Sequence, residues 1–255
     1  MRFSKWHALG NSYLVVERAE AGALTPERAG RLCDPRVGLG ADGVLEVVAI
    51  DGSHADVVIW NPDGSTAELS GNGARIAARW LADRSGSHEV SIGVGPRIVR
   101  ARVLDETTLE TELGTVDVGA SETLELGDRT IEFTSVSVGN PHAVVERSHL
   151  ERDELLELGP LIETHHRFPE RTNVQLVMPR GEHDVDALVW ERGAGETSAS
   201  GSSAVAVAAA SIARGRCISP VDVHMPGGTL RVTIADGRAT LTGPAAHICA
   251  GQTSL

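Results

Sequence analysis

The chain has 255 residues and a formal net charge of −12, with a sequence pI near 5.3 and no basic run, which excludes a surface built to track nucleic-acid phosphates or an anionic membrane. The longest apolar stretch, AVAVAAASIA from Ala204, is too short to span a bilayer, and the opening MRFSKWHALGNSY has no apolar leader region, so a soluble cytoplasmic protein is expected. Cys33, Cys217 and Cys249 are odd in number, far apart and without a CxxC pair; this excludes a disulfide framework and a zinc site, and all three are expected to be reduced and buried.

Along the chain, Gly10-Asn11 comes first, followed by Gly38-Leu-Gly40-Ala-Asp-Gly43. The latter satisfies the dinucleotide pattern GxGxxG, but the next residues, VLEVVAI, are of strand type rather than the opening of a helix, so the segment reads as a turn. Asp56-Val-Val-Ile-Trp60 is a short strand, and the polar loop NPDGSTAEL leads into Ser70-Gly71-Asn72-Gly73-Ala74 and an Ala-rich helix. EVSIGV, RIVRARVL, TLETEL and TIEFTSVSV then read as strands separated by turn residues. Gly139-Asn140, VQLVM, Asp186-Ala-Leu-Val-Trp190, the loop ERGAGETSA and Ser200-Gly201-Ser202-Ser203-Ala204 follow. The segment 204–213 is apolar nearly all round, which suits a helix enclosed on every side; LRVTI and ATLTG are the closing strands.

The second series repeats the first. Gly-Asn, Trp and Ser recur at offsets of 129, 130 and 130 residues, always in the order strand, loop, serine, helix. The expectation is an α+β fold of two pseudo-symmetric lobes, each a strand-rich, barrel-like sheet wrapped around a central helix, with the active site in the interlobe cleft. The lobes are placed at residues 1–116, with the C-terminal strand 247–255 as a candidate addition, and at 117–246.

A helix N-terminus presents unpaired N–H groups and partial positive charge, so two such ends suit a carboxylate. Ser70 and Ser200, one at each helix start and expected to face one another, would lie on opposite sides of a trapped carbon. One could take a proton while the other returns one. The plainer reading is that each is an N-cap, a common use of serine, and a hydroxyl is a poorer acid or base than a thiol of pKa about 8.5. His142 by itself reads as a satisfied structural histidine, and His165-His166 as an exposed loop pair. A serine hydrolase is a further reading, but no GxSxG surrounds either serine.

GNSY, GLGADGV, NPDGSTAELSGNGAR, VGNPHAVV, GPLIETHHRFPERTNVQLV, ERGAGETSASGSS and MPGGTLRV, covering Lys5 to Gly228, resemble the ordered motif set of diaminopimelate epimerases. The resemblance implies conversion of LL- to meso-diaminopimelate, a small amino-acid substrate, without metal or organic cofactor, and homodimers are common in the family. By motif position, Asn11, Asn61, Asn140, Asn173, Glu191 and Arg192 would hold the substrate, and Gly71-Asn72 with Gly201-Ser202 would cradle its reacting carboxylate. His142 and Glu191 would tune the acid/base groups. Arg192 also fits on chemical grounds, since a guanidinium can grip a distal carboxylate with two hydrogen bonds. Ser70 and Ser200 stand where the family carries catalytic cysteines, Ser12 replaces its acidic residue after Gly-Asn, and Gly43 stands where some members have glutamine. Two other readings keep the fold: a dehydratase or isomerase of a small amino acid, and a silent diaminopimelate-binding homologue.

Overall fold

The computed structural model describes residues 1–68 and 70–255. The chain divides into two units, Met1–Glu112 with Thr242–Leu255, and Leu113–Leu241.

Unit 1 runs β1 (Arg2–Ala8), β2 (Asn11–Glu17), the single turn α1 (Arg18–Ala21), α2 (Pro26–Cys33), β3 (Val44–Asp51), β4 (His54–Trp60), β5 (Thr66–Ala67), α3 (Gly71–Ser85), β6 (Glu89–Val94) and β7 (Arg97–Val103). Strand β8 (Thr108–Thr115) contains the boundary with the next unit. Helix α3 starts where the Ser70 side chain accepts the Gly73 N–H, and it ends at Gly86, whose left-handed φ of 71° lets its N–H close on the Ala82 carbonyl. Its small residues Ala74, Ala77 and Ala78, with Ile76 and Leu81, are fully buried or nearly so. The helix packs on β1, β2, β4, β6 and β7 of its own unit. Alanine is what permits that close approach, since it fills little volume and loses no side-chain entropy.

Unit 2 runs β9 (Asp117–Leu126), β10 (Arg129–Ser137), β11 (Pro141–Glu146), α4 (Arg152–Glu163), β12 (Asn173–Pro179), β13 (Asp184–Glu191), β14 (Gly195–Thr197), α5 (Gly201–Ala213), β15 (Val221–Met225) and β16 (Gly228–Ala235). Strand β17 (Arg238–Pro244) contains the second boundary, and β18 (Ala246–Gln252) returns to unit 1, antiparallel to β1. Helix α5 is buried at every position from Ser203 to Ser211 among β9 to β13, β15 and β16, as an all-round apolar helix must be.

The repeat keeps the same strand pairing around each helix. In unit 1, β2 runs parallel to β3 with Leu14 beside Val44, β3 antiparallel to β4 with Val44 beside Trp60, and β4 parallel to β6. In unit 2, β11 runs parallel to β12 with Ala143 beside Val174, β12 antiparallel to β13 with Val174 beside Trp190, and β13 parallel to β15. The α+β reading, the strand-wrapped helices and the strands named from sequence are therefore the ones observed. The GxGxxG segment is an irregular loop, bent at Gly38 and Asp42, that delivers the chain into β3.

Three features depart from the sequence expectation. Cys33 and Cys217 are buried, but Cys249 is exposed, because β18 lies open to solvent along most of its length instead of alternating. Helices α2 and α4 carry no Ala-rich or all-apolar signature. Helix α2 begins with Thr25, whose Oγ1 accepts the Arg28 N–H at 3.3 Å, and with Pro26 in its first turn, a start signal that sequence does contain.

Candidate active site

The candidate residues of unit 1 gather around the start of α3. Burial has removed nearly all solvent from Tyr13, Asn72 and Arg75, while Asn11, Gly71 and Ser70 are half-buried. The Asn72 Nδ2 donates to Asn11 Oδ1 at 3.5 Å, and Asn72 Oδ1 accepts from Arg75 Nη2 at 2.6 Å. Arg75 also reaches the Gly71 carbonyl at 3.3 Å, and its Nε has no hydrogen-bond partner among the described residues. Burial lowers its pKa from 12.5 to about 10, yet it stays charged at neutral pH, with no carboxylate salt bridge among the described residues. A buried guanidinium under a helix N-terminus adds to the field of that terminus and favours an anion there. Ser70 Oγ caps the helix, accepting the Gly73 N–H at 3.0 Å, and it also lies 3.1 Å from the Tyr13 hydroxyl.

Asn61 sits at the end of β4, and its amide donates to Ser65 Oγ at 2.9 Å within its own loop. Ser12 is turned to Asp42, which accepts from its N–H at 2.7 Å and its hydroxyl at 3.0 Å.

The candidate residues of unit 2, around the start of α5, differ at the serine. Ser200 is the N-cap residue of α5 by backbone position, but its side chain caps nothing; its hydroxyl donates to Glu191 Oε2 at 3.0 Å. The Glu191 carboxyl has a raised pKa, first through burial, with the Ser200 hydroxyl that donates to it pulling it back down. His142 is fully buried, with Nδ1 3.0 Å from Gln175 Nε2 and Nε2 3.1 Å from Asn140 Oδ1. Burial pushes its pKa down to about 3, so the ring is neutral, accepting at Nδ1 and donating at Nε2. Gln175 spends its other amide hydrogen on Ser203 Oγ at 3.0 Å.

Asn173 does not aim its amide outward: Oδ1 accepts the Arg192 N–H at 3.0 Å and Nδ2 donates to the Pro141 carbonyl at 2.9 Å. It fixes the backbone that carries Glu191 and Arg192. Arg192 is exposed, with Nη1 on the Glu170 carbonyl at 3.1 Å. Gly201 is buried and Ser202 half-buried at the α5 start.

Sequence reasoning missed Glu163. Its carboxylate, at the end of α4, accepts the Trp190 indole N–H at 2.7 Å and the Gly193 N–H at 2.9 Å, and Arg171 approaches at 3.4 Å. It thereby clamps both sides of Glu191-Arg192. The available signal was a lone Glu inside GPLIETHH facing a Trp one strand away, which spacing alone does not single out. Tyr13 and Gln175 were also missed.

A family model described as diaminopimelate epimerase matches residues 3–122 and 134–248. The chain belongs to the diaminopimelate epimerase family. Among curated members of that family, the diaminopimelate epimerase of Synechococcus elongatus is 35% identical over 283 residues, covering 100% of this chain and 99% of its own length. That of Desulfitobacterium hafniense is 34% identical, covering 98% and 97%. A solved hydroxyproline epimerase from Agrobacterium vitis shares the fold with a TM-score of 0.73 at 16% identity, covering 98% of this chain and 91% of that one. A Bacillus anthracis phenazine biosynthesis protein of the PhzF family does so at 0.72 and 14%, covering 100% and 99%.

Proposed function

We propose that the protein is a cofactor-independent isomerase that interconverts LL- and meso-diaminopimelate by exchanging the proton on the α-carbon. The observation that carries this reading is the duplicated arrangement on a full-length family match: each half places a serine hydroxyl at the mouth of a buried helix N-terminus. The N–H groups of Gly71-Asn72 and Gly201-Ser202 take the reacting carboxylate, with Arg75 supplying charge behind the first. Ser70 and Ser200 each serve one face of the α-carbon, one accepting the proton and the other delivering its replacement. Glu191 holds the Ser200 hydroxyl and takes up its proton, while the neutral His142, gripped by Gln175 and Asn140, lines the same half. Arg192 grips the distal carboxylate, and Asn11, Asn61 and Asn140 orient the amino acid; Asn173 acts through the Arg192 backbone.

The test is turnover of LL-diaminopimelate in heavy water by the purified protein. The expected result is meso product carrying solvent deuterium at the α-carbon, because the proton removed from one face is not the one returned to the other. A keto acid or imine product would assign a dehydratase instead, and thermal stabilisation by diaminopimelate without any product would assign a silent binder. An inverted product that keeps its original α-hydrogen would overturn the two-base scheme.

A further inference from the structure

The Tyr13 hydroxyl, 3.1 Å from Ser70 Oγ, has a ring that occupies the space a side chain at position 43 would need. A Cβ placed on Gly43 would meet Tyr13 Cε1 at 2.4 Å and Cδ1 at 2.9 Å. Only glycine at 43 lets the ring lie there. The repeat reinforces the point: Asn11 and Asn140 are 129 residues apart, and the same step takes Tyr13 to His142. Both sit one residue before the Leu14–Val44 and Ala143–Val174 partners of the parallel strand pairs. Each half thus holds an ionisable ring at one register, and each serine touches a group whose proton affinity is far better matched to the task than its own. Ser200 has the Glu191 carboxyl at 3.0 Å; Ser70 has a phenol, of reference pKa about 10.

We infer that Tyr13 is the proton store for the Ser70 face, working through the Ser70 hydroxyl. This rests on the epimerase reading above. With Tyr13 as phenolate, the Ser70 hydroxyl proton passes to the phenolate oxygen as Ser70 Oγ takes the α-proton. The C–H electron pair stays on the substrate, delocalised toward its carboxylate, until the other face returns a proton. In the opposite direction the Tyr13 phenol supplies the proton by the same route.

Among the described residues, several charged groups on the elements around Tyr13 hold other groups. On β1, Lys5 Nζ reaches the Leu39 carbonyl at 3.4 Å and His7 Nδ1 accepts the Gly10 N–H at 3.4 Å. Asp42 holds Ser12, Glu46 on β3 holds Arg18 at 2.8 Å, and Arg75 holds Asn72.

Tyr13 is the single tyrosine of the chain, so the tyrosinate absorbance band reports it alone. In Ser70→Ala, and in Ser70→Gly, which keeps helix capping nearly intact, loss of the hydroxyl that stabilises the phenolate raises its titration midpoint by about one pH unit. Tyr13→Phe is expected to lower kcat about tenfold or more with KM little changed, to remove the alkaline rise of the kcat profile, and to slow α-deuterium wash-in from one stereoisomer more than from the other. A purely structural tyrosine would move none of these while shifting thermal stability. Unchanged tyrosinate titration in both Ser70 variants, titration only on unfolding, or full kcat with an intact alkaline limb in Tyr13→Phe would overturn the proposal. Absence of epimerisation by the parent protein would strike the functional reading, and the tyrosinate titration would still judge the Tyr13–Ser70 pair.

Discussion

Glu163→Gln isolates the clamp behind the Glu191-Arg192 segment. The carboxylate offers one oxygen to the Trp190 indole at 2.7 Å and the other to the Gly193 N–H at 2.9 Å, at a position only 6% exposed. A carboxamide has one oxygen. Whichever donor it serves, its NH2 is set against the other, so one charge-assisted bond is lost and a part-buried donor is left to find water. Hydrogen bonds to charged groups contribute about 1.5–3 kcal/mol. The expected destabilisation is therefore about 1.5–3 kcal/mol. Arg171 adds little, since its side chain is 59% exposed and 3.4 Å away. Urea unfolding measures this as a lower midpoint at unchanged m-value. A cycle with Trp190→Phe sharpens it: with the indole donor gone, the Gln oxygen can face Gly193, and the substitution should then cost less than about 1 kcal/mol. Turnover should fall with the loosened segment. A stability change under about 0.5 kcal/mol, or a cost unaltered by Trp190→Phe, would refute the clamp.

Ser70→Cys combined with Ser200→Cys should raise turnover by orders of magnitude, because a thiol of reference pKa about 8.5 titrates much closer to working pH than a hydroxyl. Either single replacement should help less, as judged by initial rates of meso-diaminopimelate formation. His142 bears on stability: buried neutral, it titrates at about 3 in the folded protein against 6.5 ordinarily. Its contribution is therefore complete above the unfolded value and lost as pH falls from there toward the folded one, since the unfolded chain gains a proton first. Urea midpoints followed from neutral pH downward should fall more steeply for the parent than for His142→Gln; parallel curves would contradict a buried neutral ring.

The strands around each helix were legible because alternation and short apolar runs are local signals, and α5 because no surface helix can be apolar all round. The duplication was legible because Trp60, Ser70, Trp190 and Ser200 keep their spacing. Helix α2 was missed although Thr25-Pro26 marks its start, for its apolar positions are few. The helix-start residues of the candidate site were readable as a pattern, but what each side chain touches was not. Ser70 and Ser200 look alike in sequence, yet one caps a helix and the other binds a carboxylate, a difference set by which side chain faces them across the strands. Asn173 reads as a substrate ligand by motif, while in the folded chain its amide is consumed by backbone groups. Glu163 and Tyr13 depend on contacts between segments far apart in sequence, which no local pattern encodes.

Both Trp60 and Trp190 donate their indole N–H to a carboxylate, at 2.9 Å and 2.7 Å, but the acceptors come from different places: Glu46 on β3 and Glu163 at the end of α4. The position in the second half that corresponds to Glu46, at the 130-residue step, is Leu176, which is fully buried. The halves are therefore not interchangeable parts. A chimera with the β3 sequence grafted onto β12 would bring a second carboxylate into the surroundings of an indole already served, where one of the two acids would have to hold its proton or the strand would have to shift. The reverse graft would leave Trp60 with no acceptor at all. Each half answers the same indole N–H with an acid from a different element, so two copies of either half would not reproduce both pairs.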